Sequence, residues 1–510
     1  MQDQEPSPTI LEPLRLYQES ATIHGITMLS APQLYHCRRL IWTVLVIGMA
    51  ILLAWTLYKQ VSQLNKRPIK TITESPLYHE LPFPAVTICN INQYVKDRVP
   101  DNEMIKNVIY YKSEYAKLTK AHSRLSNMDN LTDVSGEELL QMSLYAAPRL
   151  EELLVACAWS FHTYDCKDLF KPINTSYGQC FVFNKDKNNI QKTTMSGPRE
   201  GLRLMIDIQN KRSYYSQKIH AGIRVLVHQQ DEEPFPKEKG WYIRPGVAVE
   251  LALTRIDHKR LPHPYKAFSN SYCEDREANG YVNKLTRYAH YSYANCQAQC
   301  LLDFLNTTCG CRGYHEPVSV LSAGNSALCS AKQHILCYSP ALNMFSRSHL
   351  EACACVEECN TVSYSAELMY ADFSSIFIEE MASTHNLSYA GGFRTSAIEV
   401  DIFYKTLHVD VIEQQPEVSL VTILATLGGE MGLFLGASLL SFAEILELLF
   451  LFVYRGVKSC RCHFIDAKKV ESSQTARNEP DLPRKYSFDD WTAKKKSGVH
   501  VASVKDPLHF

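Results

Sequence analysis

The sequence predicts an α+β protein in which two membrane-spanning helices flank one large disulfide-rich domain. Three observations carry this: two long apolar runs at residues 40–58 and 418–454, fourteen of the 17 cysteines confined between Cys89 and Cys359, and stretches of alternating apolar and polar residues in the same interval. The chain has 510 residues, and its 53 basic and 54 acidic side chains leave a net charge of -1, so bulk electrostatics give no reason to expect nucleic acid as a partner.

Residues 1–39 precede the first run and are largely polar, which sets that run apart from a cleaved signal peptide. Residues 40–58 read LIWTVLVIGMAILLAWTLY, nineteen positions without a charge, long enough at about 1.5 Å each to cross a bilayer core of about 30 Å. The interval 59–417 is long enough to bury a core of its own. Half-buried strands are expected at Leu202-Leu204-Ile206-Ile208, Ile223-Val225-Val227, Val247-Val249-Leu251 and Val400-Ile402-Tyr404. Helical spacing runs from Ser135 to Leu154 and from Asp372 to Met381. The even, clustered cysteines suggest seven disulfides made in an oxidising compartment, with Cys37, Cys460 and Cys462 outside it. Cys353, Cys355 and Cys359 form no closed zinc set, so no metal is expected, and no cofactor. The tail, 455–510, has twelve Lys or Arg against seven Asp or Glu and few large apolar residues, the composition of a disordered segment.

Two spans place both ends on one side of the membrane. Arg455, Lys458, Arg461, Lys468 and Lys469 follow the second span, whereas Glu399, Asp401, Asp410, Glu413 and Glu417 lead into it with Lys405 as the one Lys or Arg among them. Glycosylation sequons at Asn130, Asn174, Asn306 and Asn386 fall in the interval between the spans, with the clustered cysteines. The expectation is a multi-pass plasma-membrane protein with a large extracellular domain and both termini cytosolic.

The second run carries the chemistry. Its 37 residues would overshoot any bilayer as one straight helix, so it must tilt, project or break. Ser419, Thr422, Thr426 and Glu430 keep to one helical face, and Ser438, Ser441, Glu444 and Glu447 continue the polar positions. Polar groups in lipid are costly, so this face wants either water or another polar surface: a pore, or a buried seam between helices. One stripe cannot enclose a pore; several copies are needed, and their Glu444 and Glu447 rings would favour cations. Leu435-Gly436-Ala437-Ser438-Leu439 is the expected break, where small side chains permit close approach and backbone carbonyls could face an ion; helix packing is the plainer use of such residues.

At these residues the chain resembles the degenerin and epithelial sodium channel family, closest to its acid-sensing and peptide-gated branches. Phe83-Pro84-Ala85-Val86-Thr87-Ile88-Cys89-Asn90 is similar to the family signature, Gly436-Ala437-Ser438 to its selectivity tripeptide, and His24-Gly25 to its cytosolic gating motif. The likeness covers about residues 20 to 455. It implies a trimer, homomeric or with related subunits, a hand-like ectodomain with a central β-sheet palm, and a sodium-preferring, amiloride-blocked pore. It also implies pairing of Cys89 with Cys180, Cys157 with Cys166, and Cys273 with Cys359. A further ladder would join Cys296 to Cys355, Cys300 to Cys353, Cys309 to Cys337, and Cys311 to Cys329.

Departures from the family pattern bear on what opens the channel. Acid-sensing relatives oppose two carboxylate pairs; here Asp231 and Glu232 match the first pair, but Ser339 and Asn343 stand at the second. Tyr265 stands where relatives place a Trp that couples ectodomain to pore. The expected function is therefore a sodium-selective cation channel opened by an extracellular ligand such as a neuropeptide, with proton gating or constitutive opening as alternatives. A receptor ectodomain without a pore is a remote alternative, and the chain has no P-loop, HExxH or GxSxG motif to suggest an enzyme.

Overall fold

The computed structural model describes Leu14, Tyr17 and residues 21–30, 36–113, 130–160, 165–214, 219–316, 327–384, 390–438, 440, 441 and 443–454. Asn386, Leu439, Cys460, Cys462 and the tail 455–510 lie outside the described residues. The chain divides into two units, residues 60–423 and residues 1–59 with 424–510.

The middle unit is built on thirteen described strands: β1 (Ile69–Glu74), β2 (Leu81–Pro82), β3 (Ala85–Asn90), β4 (Leu154–Trp159), β5 (Phe170–Thr175), β6 (Gly178–Phe183), β7 (Lys192–Thr193), β8 (Leu202–Asp207), β9 (Ile223–His228), β10 (Trp241–Ile243), β11 (Val247–Lys259), β12 (Asn360–Asp372) and β13 (Ala397–Pro416). One sheet runs β12-β11-β13-β8-β4, with β1 also on β13; β11 and β13 are parallel and the other pairs antiparallel. A second sheet runs β10-β9-β3-β6-β5, and β2 pairs with β7. The alternating apolar stretches lie in strands, except that Ile208 falls one residue past the end of β8. In β8, Leu202, Leu204 and Ile206 enter the core while Arg203 turns out to meet Asp401 on β13 through a bidentate pair at 2.8 and 2.9 Å.

Every residue of β3 is buried, as expected of a central strand covered on both faces. Phe83, at 0 % exposure, meets Trp159 edge-on at 4.6 Å and also contacts Phe183 and Tyr404. The residues that carry the family signature are thus the central packing element of the unit. Inside it, Thr87 Oγ1 lies 2.8 Å from His228 Nε2, and His228 Nδ1 lies 2.7 Å from the Gln229 carbonyl.

Seven disulfides join Cys89–Cys180, Cys157–Cys166, Cys273–Cys359, Cys296–Cys355, Cys300–Cys353, Cys309–Cys337 and Cys311–Cys329, the same partners the resemblance implies. The helix Tyr293–Cys309 carries three of these cysteines, and the four-residue spacing of Cys296 and Cys300 puts both on one face toward Cys355 and Cys353.

Three expected helices have different bounds. The stretch 135–154 divides into Gly136–Tyr145, with a capping box at Ser135, and the single turn Leu150–Leu153, because Pro148 interrupts it and Leu154 already belongs to β4. Asp372 ends β12, and the next helix is Ser375–Thr384. The first apolar run lies inside a longer helix, His36–Lys66, whose apolar side chains such as Leu40, Val44 and Ile51 are more than half exposed; it is long and apolar enough to cross a membrane.

Replacing Phe83 with Ala should destabilise the middle unit by about 3–5 kcal/mol, the usual cost of emptying a buried aromatic site. A lowered thermal unfolding midpoint of the detergent-solubilised chain checks this; an unchanged midpoint contradicts the central role of Phe83.

Candidate ion pathway

The second apolar run is not one helix. It is helical over Leu420–Leu435, non-helical at 436–438, and helical again at residues 440, 441 and 443–454. Ser419 caps the first segment: its Oγ accepts from the Thr422 amide at 3.1 Å and lies 2.7 Å from Thr422 Oγ1. At the far end Gly436 takes a left-handed φ of +60°, the conformation that ends helices and that glycine adopts without strain. Ser438 then starts the next segment. Its Oγ accepts from the Ser441 amide at 3.4 Å, and its own amide donates to Ser441 Oγ at 3.0 Å.

The interruption leaves carbonyls without helical partners, and the N-terminal segment supplies one: the His24 amide donates to the Leu435 carbonyl at 3.0 Å. The approach is close enough that a Cβ at Gly436 would sit 1.9 Å from His24 Nδ1. Gly25, at φ +90°, lies against the helix His36–Lys66, where a Cβ would meet Val46 Cγ2 at 2.7 Å. His24-Gly25 and Gly436 thus fit as two halves of one contact, although 411 positions separate Gly25 from Gly436 in the sequence.

The remaining polar residues of the run divide by environment. Ser419, Thr422, Thr426 and Glu447 are exposed in the single chain, and Glu430 and Glu444 are half-buried. Ser441 is different. It is 1 % exposed, its Oγ 2.7 Å from Thr22 Oγ1, so this position is a polar contact between segments rather than an open wall.

In the middle unit, Tyr265 lies with Leu64, Asn65, Arg67, Pro68 and Val418 around a small cavity. Asp231 and Glu232 border a much larger one, of about 1310 Å³, which Ser339 and Asn343 also line. Glu232 pairs with Lys239, and its carbonyl accepts from Lys185 at 2.8 Å. Burial pushes the Lys185 ammonium below its ordinary range, opposed by the nearby charges of Glu233, Asp231 and Glu232.

Sequence reasoning missed the deepest wall of this cavity, where His315, Glu316, His334 and Tyr338 meet. The His334 ring stacks on Tyr338 at 5.0 Å, and Glu316 accepts from the Gly313 amide at 2.7 Å. No motif announces these residues; they come together through the fold around Cys311–Cys329 and the turn of π-helix His334–Tyr338. Burial, with the Lys112 charge adding to it, pushes His334 down to about 3, and burial lowers His228 to about 3. Both imidazoles stay neutral through mild acidification. Of the sequons, Asn130 is exposed, whereas Asn174 lies in β5 and Asn306 in the helix Tyr293–Cys309.

Residues 17–448 match the family described as amiloride-sensitive sodium channel. The chain belongs to this family, that of the degenerins and epithelial sodium channels, and it is accordingly an ion channel and not an enzyme. Its relatives include acid-sensing ion channel 1 of Gallus gallus, 26 % identical over 94 % of this chain and 89 % of the relative. Acid-sensing ion channel 2 of Homo sapiens is 25 % identical, covering 92 % of both chains, and acid-sensing ion channel 1C of Danio rerio is 27 % identical over 86 % of this chain and 83 % of its own.

Gly436→Ala should abolish or severely reduce current while surface expression persists, since the added methyl has no room beside His24; His24→Gly in the same chain should partly restore it. Whole-cell recording with surface biotinylation checks both. For the lowered imidazoles the sign is that of groups buried neutral: their contribution is full above about pH 6.5 and lost as pH falls toward 3. The unfolding midpoint should therefore drop over that window, and less steeply in His334→Gln; an equally steep drop contradicts this.

Proposed function

We propose that the protein is a sodium-selective, amiloride-sensitive channel of the plasma membrane, assembled as a trimer, spanning the membrane twice per subunit, with both termini cytosolic and residues 59–417 extracellular. The observation that carries the reading is the helix Leu420–Leu435 ending at Gly436 in a run whose polar residues are otherwise unaccountable in lipid. In this reading Gly436, Ala437 and Ser438 form the selectivity filter, with His24 and Gly25 holding it from the cytosolic side. Ser419, Thr422, Thr426 and Glu430 line the outer pore, and Glu444 and Glu447 form inner carboxylate rings that attract cations. Tyr265 couples the extracellular domain to the membrane helices.

The opening stimulus is an extracellular ligand, a peptide. Support comes from the large cavity that Asp231 and Glu232 line, where Ser339 and Asn343 stand at the positions of the second carboxylate pair, so that particular like-charge pairing, which would raise carboxyl pKa values toward neutral, is half missing. A second reading, proton gating, is favoured by the acid-sensing relatives.

Voltage clamp of cells expressing this chain alone separates the two. The expected outcome is an amiloride-blocked inward sodium current on application of a member of a neuropeptide panel and none on a step to acid pH; a fast inward current on the acid step overturns the peptide reading. Glu430→Gln should lower conductance or amiloride affinity, and Glu447→Gln should weaken selection of cations over anions.

A further inference from the structure

We propose that Thr22 is a positioning residue for ion selection, its hydroxyl holding the Glu444 carboxylate in place through a chain of hydrogen bonds that begins in the filter backbone. The inference rests on the reading of Glu444 as a pore residue and adds to it a role for the N-terminal segment.

Thr22 makes three contacts to the second membrane helix. Its backbone amide donates to Glu444 Oε2 at 3.2 Å, its Oγ1 donates to the same oxygen at 3.1 Å, and Oγ1 lies 2.7 Å from Ser441 Oγ. A hydroxyl has one proton. With that proton committed to the carboxylate, Thr22 Oγ1 accepts from the Ser441 hydroxyl. Ser441 Oγ in turn accepts from the Ser438 amide at 3.0 Å. The donors therefore run in one direction, from the Ser438 N–H to Ser441 Oγ, to Thr22 Oγ1, to Glu444 Oε2, each used once. Bonds in such a series polarise one another, and the last, to an ionised oxygen, is the strong kind.

The arrangement answers a need. A glutamate side chain has three rotatable bonds, and a ring of them discriminates between ions only if each carboxylate keeps a fixed depth and radius. Among the described residues both bonds fall on Oε2, which leaves Oε1 to an ion or water. Two residues further on, His24 binds the Leu435 carbonyl, so one short segment ties the filter interruption and the inner carboxylate together.

The test uses the full chain in cells. The sodium-over-potassium permeability ratio is read from the reversal potential of amiloride-blockable current, evoked by acid or by the peptide panel. Thr22→Val keeps the shape and the backbone contact but removes the hydroxyl, and should lower the ratio by about two- to ten-fold, the range expected for one net hydrogen bond. Thr22→Ser should retain it, and Glu444→Gln should lower it. Independently of any opening stimulus, Thr22→Cys with Ser441→Cys should cross-link under a mild oxidant in a chain whose Cys37, Cys460 and Cys462 are Ser. An unchanged ratio in Thr22→Val alongside a lowered one in Glu444→Gln overturns the inference while leaving the pore reading intact, as does failure to cross-link. An unchanged ratio in both variants overturns the pore reading itself.

Discussion

A membrane helix can be interrupted only where its released backbone groups find new partners, because lipid offers none. On the proposed two-span reading that constraint governs the break between Leu420–Leu435 and the helical residues that follow it. Gly436 turns the chain out of the helix at φ +60°, Ser438 and Ser441 cap the segment that follows, and the His24 amide takes the Leu435 carbonyl. Each depends on the others. Without a glycine at 436 there is no room for His24; without His24 the last carbonyl of the helix lacks that partner. The interruption is stable here because the N-terminal segment completes it.

The middle unit obeys a different rule, that of a dry core reinforced by covalent links. β3 is buried along its whole length and Phe83 is enclosed by three aromatic rings, so the sheets are pinned from their centre. Where apolar packing is thinner, around the helix Tyr293–Cys309 and the segments facing it, disulfides stand close together. Constraining the unfolded chain contributes about 2–4 kcal/mol per bridge in the usual case. A large cavity with ionisable walls can then be kept open without collapse.

Much of this was legible in the sequence because it rests on periodicity and composition. The alternating runs at 223–227, 247–251 and 400–404 lie in strands, as does 202–207 of the run that starts at Leu202, and the overlong second apolar run breaks at its small residues. Other features were hidden for physical reasons. Apolar spacing continues across Pro148, so the pattern alone reads one helix where the chain folds two short ones and a strand; the proline was the available signal. Ser441 reads as water-facing by its polarity, yet it satisfies itself on Thr22, and no local pattern relates residues 419 positions apart. His315 and His334 meet only through tertiary packing, so nothing in their own segments marks them.

The central claim is that the polar face of Leu420–Leu435 borders water and not lipid or a sealed seam. Thr426→Cys, probed with a small charged thiol reagent applied from outside, tests it most directly, with Leu424→Cys, on the opposite face of the same helix, as the lipid-facing control. The account predicts that reagent modifies position 426 and reduces current, and that position 424 does not react. If Thr426→Cys stays inert in every state in which the channel can be held, the pathway described here does not exist.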